Sequence, residues 1–270
     1  MKRLLAFAAV FALLFLVLAI TPILSASQVS PQDFILVESA DQAYEHGEYD
    51  LAAERYEQAS AGSAQAALYY NLGNTYYKLG NYGRAVLNYR RAQYLTPRDR
   101  DTRANLALAH AQTVDRLKAA GNSSFSVQIT SFTRNWVNNN ELALLALGAW
   151  LILLLLILAY GATPTGRLRE GLQAALILTA VLALLGAYGL GSRLYEEATH
   201  PAAVIVAEEV GVKSGPGEQY LTEFTLHSGS EVSLLEERPT WVRLALPGLA
   251  GQNKDLQGWV PVEAVERLRP

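Results

Sequence analysis

Two blocks of this chain carry almost nothing that favours water. Residues 142–160 (LALLALGAWLILLLLILAY) and 171–191 (GLQAALILTAVLALLGAYGLG) contain no Asp, Glu, Lys, Arg or His. A helix on the surface of a soluble domain keeps one polar face, because that face meets solvent. A block that is apolar all round, about 20 residues long, instead matches a helix crossing roughly 30 Å of hydrocarbon at about 1.5 Å per residue. The connection between the blocks, 161–170, is short and carries Arg167 and Arg169. Basic residues in short loops stay on the cytoplasmic side, so both outer flanks are expected on the opposite side. Trp136, Trp150, Tyr160, Tyr188 and Tyr195 lie in or near the spans, where interfacial aromatics concentrate. Ion and proton paths need intramembrane charge. The two spans therefore predict an anchoring hairpin, in which Gly186, Gly189 and Gly191 allow close packing, in preference to a receptor-like or transport component.

A third charge-free stretch, 4–32, follows Lys2 and Arg3. Its apolar run ends at Thr21-Pro22 and is followed by Ser25-Ala26-Ser27, a small-x-small site. Charged start, apolar middle and small-residue end predict a secretory signal over 1–27, cleaved or kept as an anchor. Either way the following residues are sent across the membrane.

Hydrophobic residues make up 51% of the 270. Their collection into blocks, with ordinary charged segments between, predicts modules strung on membrane segments. The net charge of −3 gives no basic footprint for nucleic acid. Cysteine is absent, which excludes disulfides, a thiol nucleophile and thiolate-bound metal.

Between the signal and the hairpin the sequence repeats itself. Ala52, Tyr56 and Ala59 recur as Ala85, Tyr89 and Ala92, a constant shift of 33 residues. A fixed period of that size, with internal spacings of three and four, means stacked helix pairs. Small residues allow close approach of the helices, and each Tyr fills the hole between neighbours. Gly47-Glu-Tyr49 and Gly80-Asn-Tyr82 are expected to turn the chain between the helices of each pair. Residues 101–118 predict a closing helix with Leu106 and Leu108 on its buried side.

Tyr69, Leu72, Gly73, Tyr76, Ala85, Tyr89, Ala92 and Pro97 make this segment resemble a tetratricopeptide repeat, most closely over 66–99. The preceding repeat is looser, with Ala40 where the family has glycine and no closing proline. The resemblance implies an all-α repeat domain over 33–118, with a linker over 119–140. It also implies a concave surface made from the first helix of each repeat. The matching positions are Asp41, Tyr44, Tyr70, Asn71, Asn74, Tyr77 and Lys78, which suit an extended peptide or a partner helix. Some family members hold a terminal carboxylate with a basic pair. Here Asp101 and Asn105 stand where that pair is expected, which argues against such a clamp.

After the hairpin the composition changes again. Residues 202–207, 223–227, 231–236, 241–246 and 258–261 read as five short strands. Turns fall at Gly211, Ser214-Gly-Pro-Gly217, His227-Ser-Gly229, Pro239 and Pro247-Gly248. Val212-Lys-Ser-Gly-Pro-Gly217, Trp241-Val-Arg-Leu and Gly258-Trp-Val-Pro261 resemble bacterial SH3-like domains, which implies a small all-β barrel over 201–268. In such domains the tryptophans mostly pack the barrel; Tyr220, Phe224, Trp241 and Trp259 are also its candidate groove residues, for a peptide or for peptidoglycan.

Catalytic patterns are missing. His46, His110, His200 and His227 are scattered without metal-ligand spacing, and neither a phosphate loop nor a nucleophile elbow is present. Adjacent acids such as Glu208-Glu209 and Glu236-Glu237 point to opposite faces of a strand. No enzyme activity and no cofactor or metal is expected. The order signal, repeat, hairpin, SH3-like domain resembles the BatE-type proteins of the Bacteroides aerotolerance group, encoded beside MoxR-type ATPases and von Willebrand A-domain membrane proteins. That resemblance implies an extracytoplasmic scaffold in a multi-pass inner-membrane assembly, linked to envelope stress or protein maturation. The alternative is an envelope module that grips peptidoglycan.

Overall fold

The computed structural model describes residues 31–62, 64–115, 136–246 and 256–269. The expected signal (1–27), most of the linker and the Pro247-Gly248 turn lie outside the described residues. Two compact units emerge, one holding the hairpin (Val137–Tyr195) and one combining the repeat with the C-terminal sheet.

The repeat contains α1 (Pro31–Glu45), α2 (Tyr49–Gly62), α3 (Ala66–Lys78), α4 (Tyr82–Leu95) and α5 (Arg100–Gln112). Both first helices stop the same way. Gly47 and Gly80 take φ of 78° and 75°. The next N–H reaches back five residues, Glu48 to the Ala43 carbonyl and Asn81 to that of Tyr76, each at 2.9 Å. Only glycine enters that left-handed conformation at little cost, which is why the period carries it. Asp99 caps α5, accepting from the Thr102 N–H at 2.9 Å. The Thr102 hydrogen bonds hold its carboxyl below the usual carboxylate range.

Ala40, Ala52, Ala59, Ala85 and Ala92 are fully buried, with Tyr56 and Tyr89 filling the space between them. A Cβ on Gly73 would lie 2.7 Å from the Tyr89 ring, so the tyrosine that fills the core dictates the glycine beneath it. The expectation for Leu108 is corrected here. Leu106 is buried, but Leu108 is 55% exposed. Two residues along a helix turn about 200°, so the pair cannot share a face.

The C-terminal region is one antiparallel sheet of seven strands, in the order β3-β2-β6-β5-β4-β1-β7. They are β1 (Ala202–Ile205), β2 (Glu209–Lys213), β3 (Thr222–His227), β4 (Glu231–Glu237), β5 (Trp241–Leu246), β6 (Leu256–Pro261) and β7 (Val265–Arg267). The two strands beyond the expected five are β2 and β7. Gly211 reads as a turn in sequence. It sits instead within β2, paired with Thr225 and 3.1 Å from a Thr222 methyl at its Cβ position. The three residues of β7 are too few to show a period.

Strand β1 explains how sheet and repeat belong to one unit. Ala203 and Ile205 join the sheet core, with Val212, Val232, Leu244 and Val260. Val204 joins the helical core, with Tyr56, Leu87 and Tyr89, and Val206 packs against it. A strand with a core on each side has no need of polar alternation, and its sequence, AAVI, has none. Helix α4 approaches so closely that a Cβ on Gly83 would lie 2.9 Å from the Gly229 nitrogen and 3.1 Å from the Ile205 carbonyl oxygen.

The hairpin consists of α6 (Asn139–Ala162) and α7 (Arg167–Thr199), each long and apolar enough to cross a membrane. Both outrun the expected limits of 142–160 and 171–191. Apolar content marks the stretch that suits hydrocarbon, whereas the helix continues until a cap or breaker stops it. A capping box starts α6, with Asn138 Oδ1 accepting from the Glu141 N–H at 2.8 Å and Glu141 Oε2 from the Asn138 N–H at 3.1 Å. Arg193 of α7 is 1% exposed and donates to the Val137 carbonyl at 2.9 Å, tying the two helices at one end. Small residues meet where Gly186 passes Ala146.

Candidate partner-binding groove

The first helices of the repeat, α1 and α3, together with α5, line two adjoining cavities. One, of about 180 Å³, is lined by Asp41, Tyr44, Glu45, Tyr56, Asn71 and Asn74. The other, of about 260 Å³, is lined by Tyr44, Asn74, Tyr77, Lys78, Tyr89, Asn105 and Leu108. Volumes below the roughly 300–1,000 Å³ of small-molecule sites suit single side chains of a polypeptide better than a cofactor.

The side chains are held before any partner arrives. Tyr89 donates to Asn74 Oδ1 at 2.7 Å, and Asn105 Nδ2 donates to the same oxygen at 2.9 Å and to the Tyr70 hydroxyl at 3.1 Å. Tyr56 donates to Asp41 Oδ1. Burial first, and then the hydrogen bond and charge of Asp41, push the Tyr56 phenol well above its ordinary range. Burial and the neighbouring phenols do the same to Tyr89. Both phenols therefore remain protonated donors across the physiological range.

These contacts repeat with the sequence. The Tyr56–Asp41 bond of the first repeat corresponds, 33 residues on, to the Tyr89–Asn74 bond of the second. Tyr44 meets Tyr49 edge to face at 5.3 Å, and Tyr77 meets Tyr82 likewise at 5.4 Å. One packing solution, used twice, brings two tyrosine faces to the same groove.

Of the seven groove positions read from the sequence, all but Tyr70 line the cavities directly, and Tyr70 joins through Asn105. Glu45, Tyr56, Tyr89, Asn105 and Leu108 also line the cavities and were not among the seven. For Leu108 the signal was its place two residues from Leu106, on the opposite side of α5.

Of the four aromatic candidates on the sheet, Trp241 and Trp259 share one face as diagonal neighbours on β5 and β6, with Lys213 paired to Trp259 and beside Trp241. Phe224 pairs with Val212 and packs on the sheet core. Trp241 and Trp259 lie outside that core, paired with Pro261 and Arg243. Arg238 lies 4.7 Å over Trp259, and Lys213 lies 5.9 Å from Trp241. Tyr220 belongs to the β2–β3 turn, its ring covering Gly215. Trp259 is only 7% exposed.

Two histidines that looked scattered in sequence meet carboxylates where the repeat joins the sheet. His110 Nε2 is 2.9 Å from Glu231, which Arg90 also engages at 2.7 Å. His227 Nδ1 is 3.0 Å from Asp115, whose other oxygen accepts from the His227 N–H at 2.7 Å and the Ser230 hydroxyl at 2.6 Å. Burial acts to raise the Glu231 carboxyl, but His110 and Arg90 outweigh it and hold it at about 2. Asp115 is likewise lowered, its hydrogen bonds from Ser230 and His227 outweighing burial. Arg91 adds donations to the carbonyls of Arg267 (2.8 Å) and Leu268 (3.2 Å).

Residues 66–99 match the tetratricopeptide repeat family. That match spans α3 and α4, the second of the two helix pairs, and marks a module for binding proteins or peptides. Comparison with the curated proteins finds no match to the chain.

Proposed function

We propose that the protein is a membrane-anchored scaffold whose repeat groove and C-terminal SH3-like domain both face the extracytoplasmic side of the inner membrane. Neither module is proposed to carry an active site. The observation that carries the reading is β1, whose alternate residues enter the helical core and the sheet core. Modules that share buried side chains occupy one compartment. The chain between them therefore crosses the membrane an even number of times, and α6 and α7 supply two crossings. The signal-like start at 1–27 and the basic 161–170 loop support the extracytoplasmic side. The order of modules supports membership of a Bat-type assembly with a MoxR ATPase and von Willebrand A-domain proteins.

The absence of cysteine makes the topology directly testable. Single Gln58→Cys, Gln219→Cys and Thr165→Cys variants are treated in intact cells with a membrane-impermeant maleimide that passes the outer envelope. Labelling of the first two, with Thr165→Cys labelled only after lysis, is the expected pattern. Labelling of Gln58→Cys and Gln219→Cys from opposite sides would end the shared-compartment argument. Both protected with Thr165→Cys exposed would invert the orientation.

A further inference from the structure

The two repeats share one architecture but not one charge. Glu38, Asp41 and Glu45 of α1 correspond, 33 residues on, to Asn71, Asn74 and Lys78 of α3. The tyrosines beside them are kept, Tyr44 matching Tyr77 in the same helices and Tyr56 matching Tyr89 in the second helix of each pair. Fold therefore does not require the carboxylates, because the second repeat forms the same helix pair with amides and an ammonium.

We infer that the groove is specific for an extended partner segment carrying a Lys or Arg side chain followed by an apolar one. This deepens the groove reading above and rests on it. The basic side chain enters the cavity of Asp41, Glu45, Tyr44 and Tyr56, which has two carboxylates and no cation among its lining residues. Tyr56 occupies only one oxygen of Asp41. The Tyr44 ring adds an aromatic wall, and a cation beside an aromatic face and a carboxylate is favoured by both. The apolar side chain enters the cavity where Leu108, 55% exposed, meets Tyr77. Lys78 at that cavity repels a second basic residue, which sets the direction of the segment. The amide oxygens and nitrogens of Asn71, Asn74 and Asn105 lie between, suited to a peptide backbone.

The test uses the full chain in lipid nanodiscs and fluorescein-labelled Gly/Ser nonapeptides, read by fluorescence anisotropy. Each peptide carries Lys and Leu separated by one, two or three residues, with counterparts in which Glu or Gln replaces Lys. The best Lys peptide is expected to bind about tenfold tighter than its Glu counterpart, the effect of two partly exposed charge contacts. Asp41→Asn with Glu45→Gln should remove that difference. Glu208→Gln with Glu209→Gln, which removes as much charge from exposed positions on the sheet, should not. Equal loss in both pairs would overturn the assignment in favour of diffuse attraction. Binding of Glu and Lys peptides alike, lost in Tyr77→Ala, would overturn the charge inference and leave the groove standing. No binding by any peptide of the panel overturns both.

Discussion

Replacing Gly83 by alanine sets two opposed effects against each other at the junction of repeat and sheet. Alanine is favoured over glycine in a helix interior by about 1 kcal/mol, and by less in the first turn, where Gly83 sits. Against that gain stands the added methyl. Its carbon would lie 1.9 Å from Ser228 Oγ, 2.9 Å from the Gly229 nitrogen and 3.1 Å from the Ile205 carbonyl oxygen. The serine hydroxyl can rotate away, but the two backbone atoms move only if β1 and the β3–β4 turn move with them. Overpacking of this kind costs about 1–3 kcal/mol. The first-turn helix gain offsets about 0.5 kcal/mol of this, so the junction weakens by a net ~0.5–2.5 kcal/mol, a factor of about 2–70 in its opening equilibrium. Native-state hydrogen exchange reads this directly. The Gly229 and Ile205 amides bond across β1, to the Ile205 carbonyl at 2.8 Å and the Ser230 carbonyl at 2.9 Å, and should lose protection by that factor. Adding Ser228→Ala should recover little. Unchanged protection of β1 in Gly83→Ala, or full recovery in the double variant, would refute the claim that backbone contact closes the junction.

Other outcomes follow from the same geometry. Glu231 and Asp115 have folded values below their ordinary ones, so their contribution is complete above the ordinary carboxylate range; for Glu231 it is lost as pH falls from 4.5 towards about 2. Thermal unfolding of the repeat–sheet unit should therefore lose stability steadily over that interval, and Glu231→Gln should flatten much of the slope. Gly47→Ala and Gly80→Ala meet no atom within 4 Å of the added carbon, so each should cost only the left-handed backbone term, about 1–2 kcal/mol, and the two should agree within error in urea titrations. Asn105→Ala removes two donations into the groove, and because the site is half-exposed water replaces part of them; a loss of about 1 kcal/mol by urea titration is expected, with weaker peptide binding.

Much of the fold was legible in the sequence because its signals are periodic or long. The recurrence of Ala52, Tyr56 and Ala59 identified stacked helix pairs, and two uncharged blocks identified the long apolar helices. What escaped was whatever depends on a distant partner. Val204 and Val206 read as ordinary strand residues, and only the returning chain shows that they complete the helical core. His110 and His227 lie far apart in the sequence from Glu231 and Asp115, so no local spacing could pair them. Trp241 and Trp259 were read from a family pattern, and only the register shows that they share one face of the sheet while Phe224 packs on its core. The groove positions came from the resemblance to the repeat family, which puts the first helix of each repeat on the concave side, and six of the seven line the two cavities. Leu108 was misread because its spacing from Leu106 was treated as a strand-like alternation within a helix.

The double duty of β1 also bears on how the chain is made. Synthesis from the N-terminus releases the repeat about ninety residues before Val204 emerges, and on the topology proposed above both apolar helices are inserted in between. Until then Leu87 and Tyr89 lack the wall that Val204 supplies. A chain that stops early, or inserts only one of its two helices, keeps that apolar surface open and leaves Arg90, His110 and Asp115 without their partners on the sheet. Such exposed surface is what chaperones and proteases recognise. On the topology proposed above, the return strand serves as a proofreading step for membrane insertion: the repeat reaches its finished state only in molecules whose hairpin has gone in and come back.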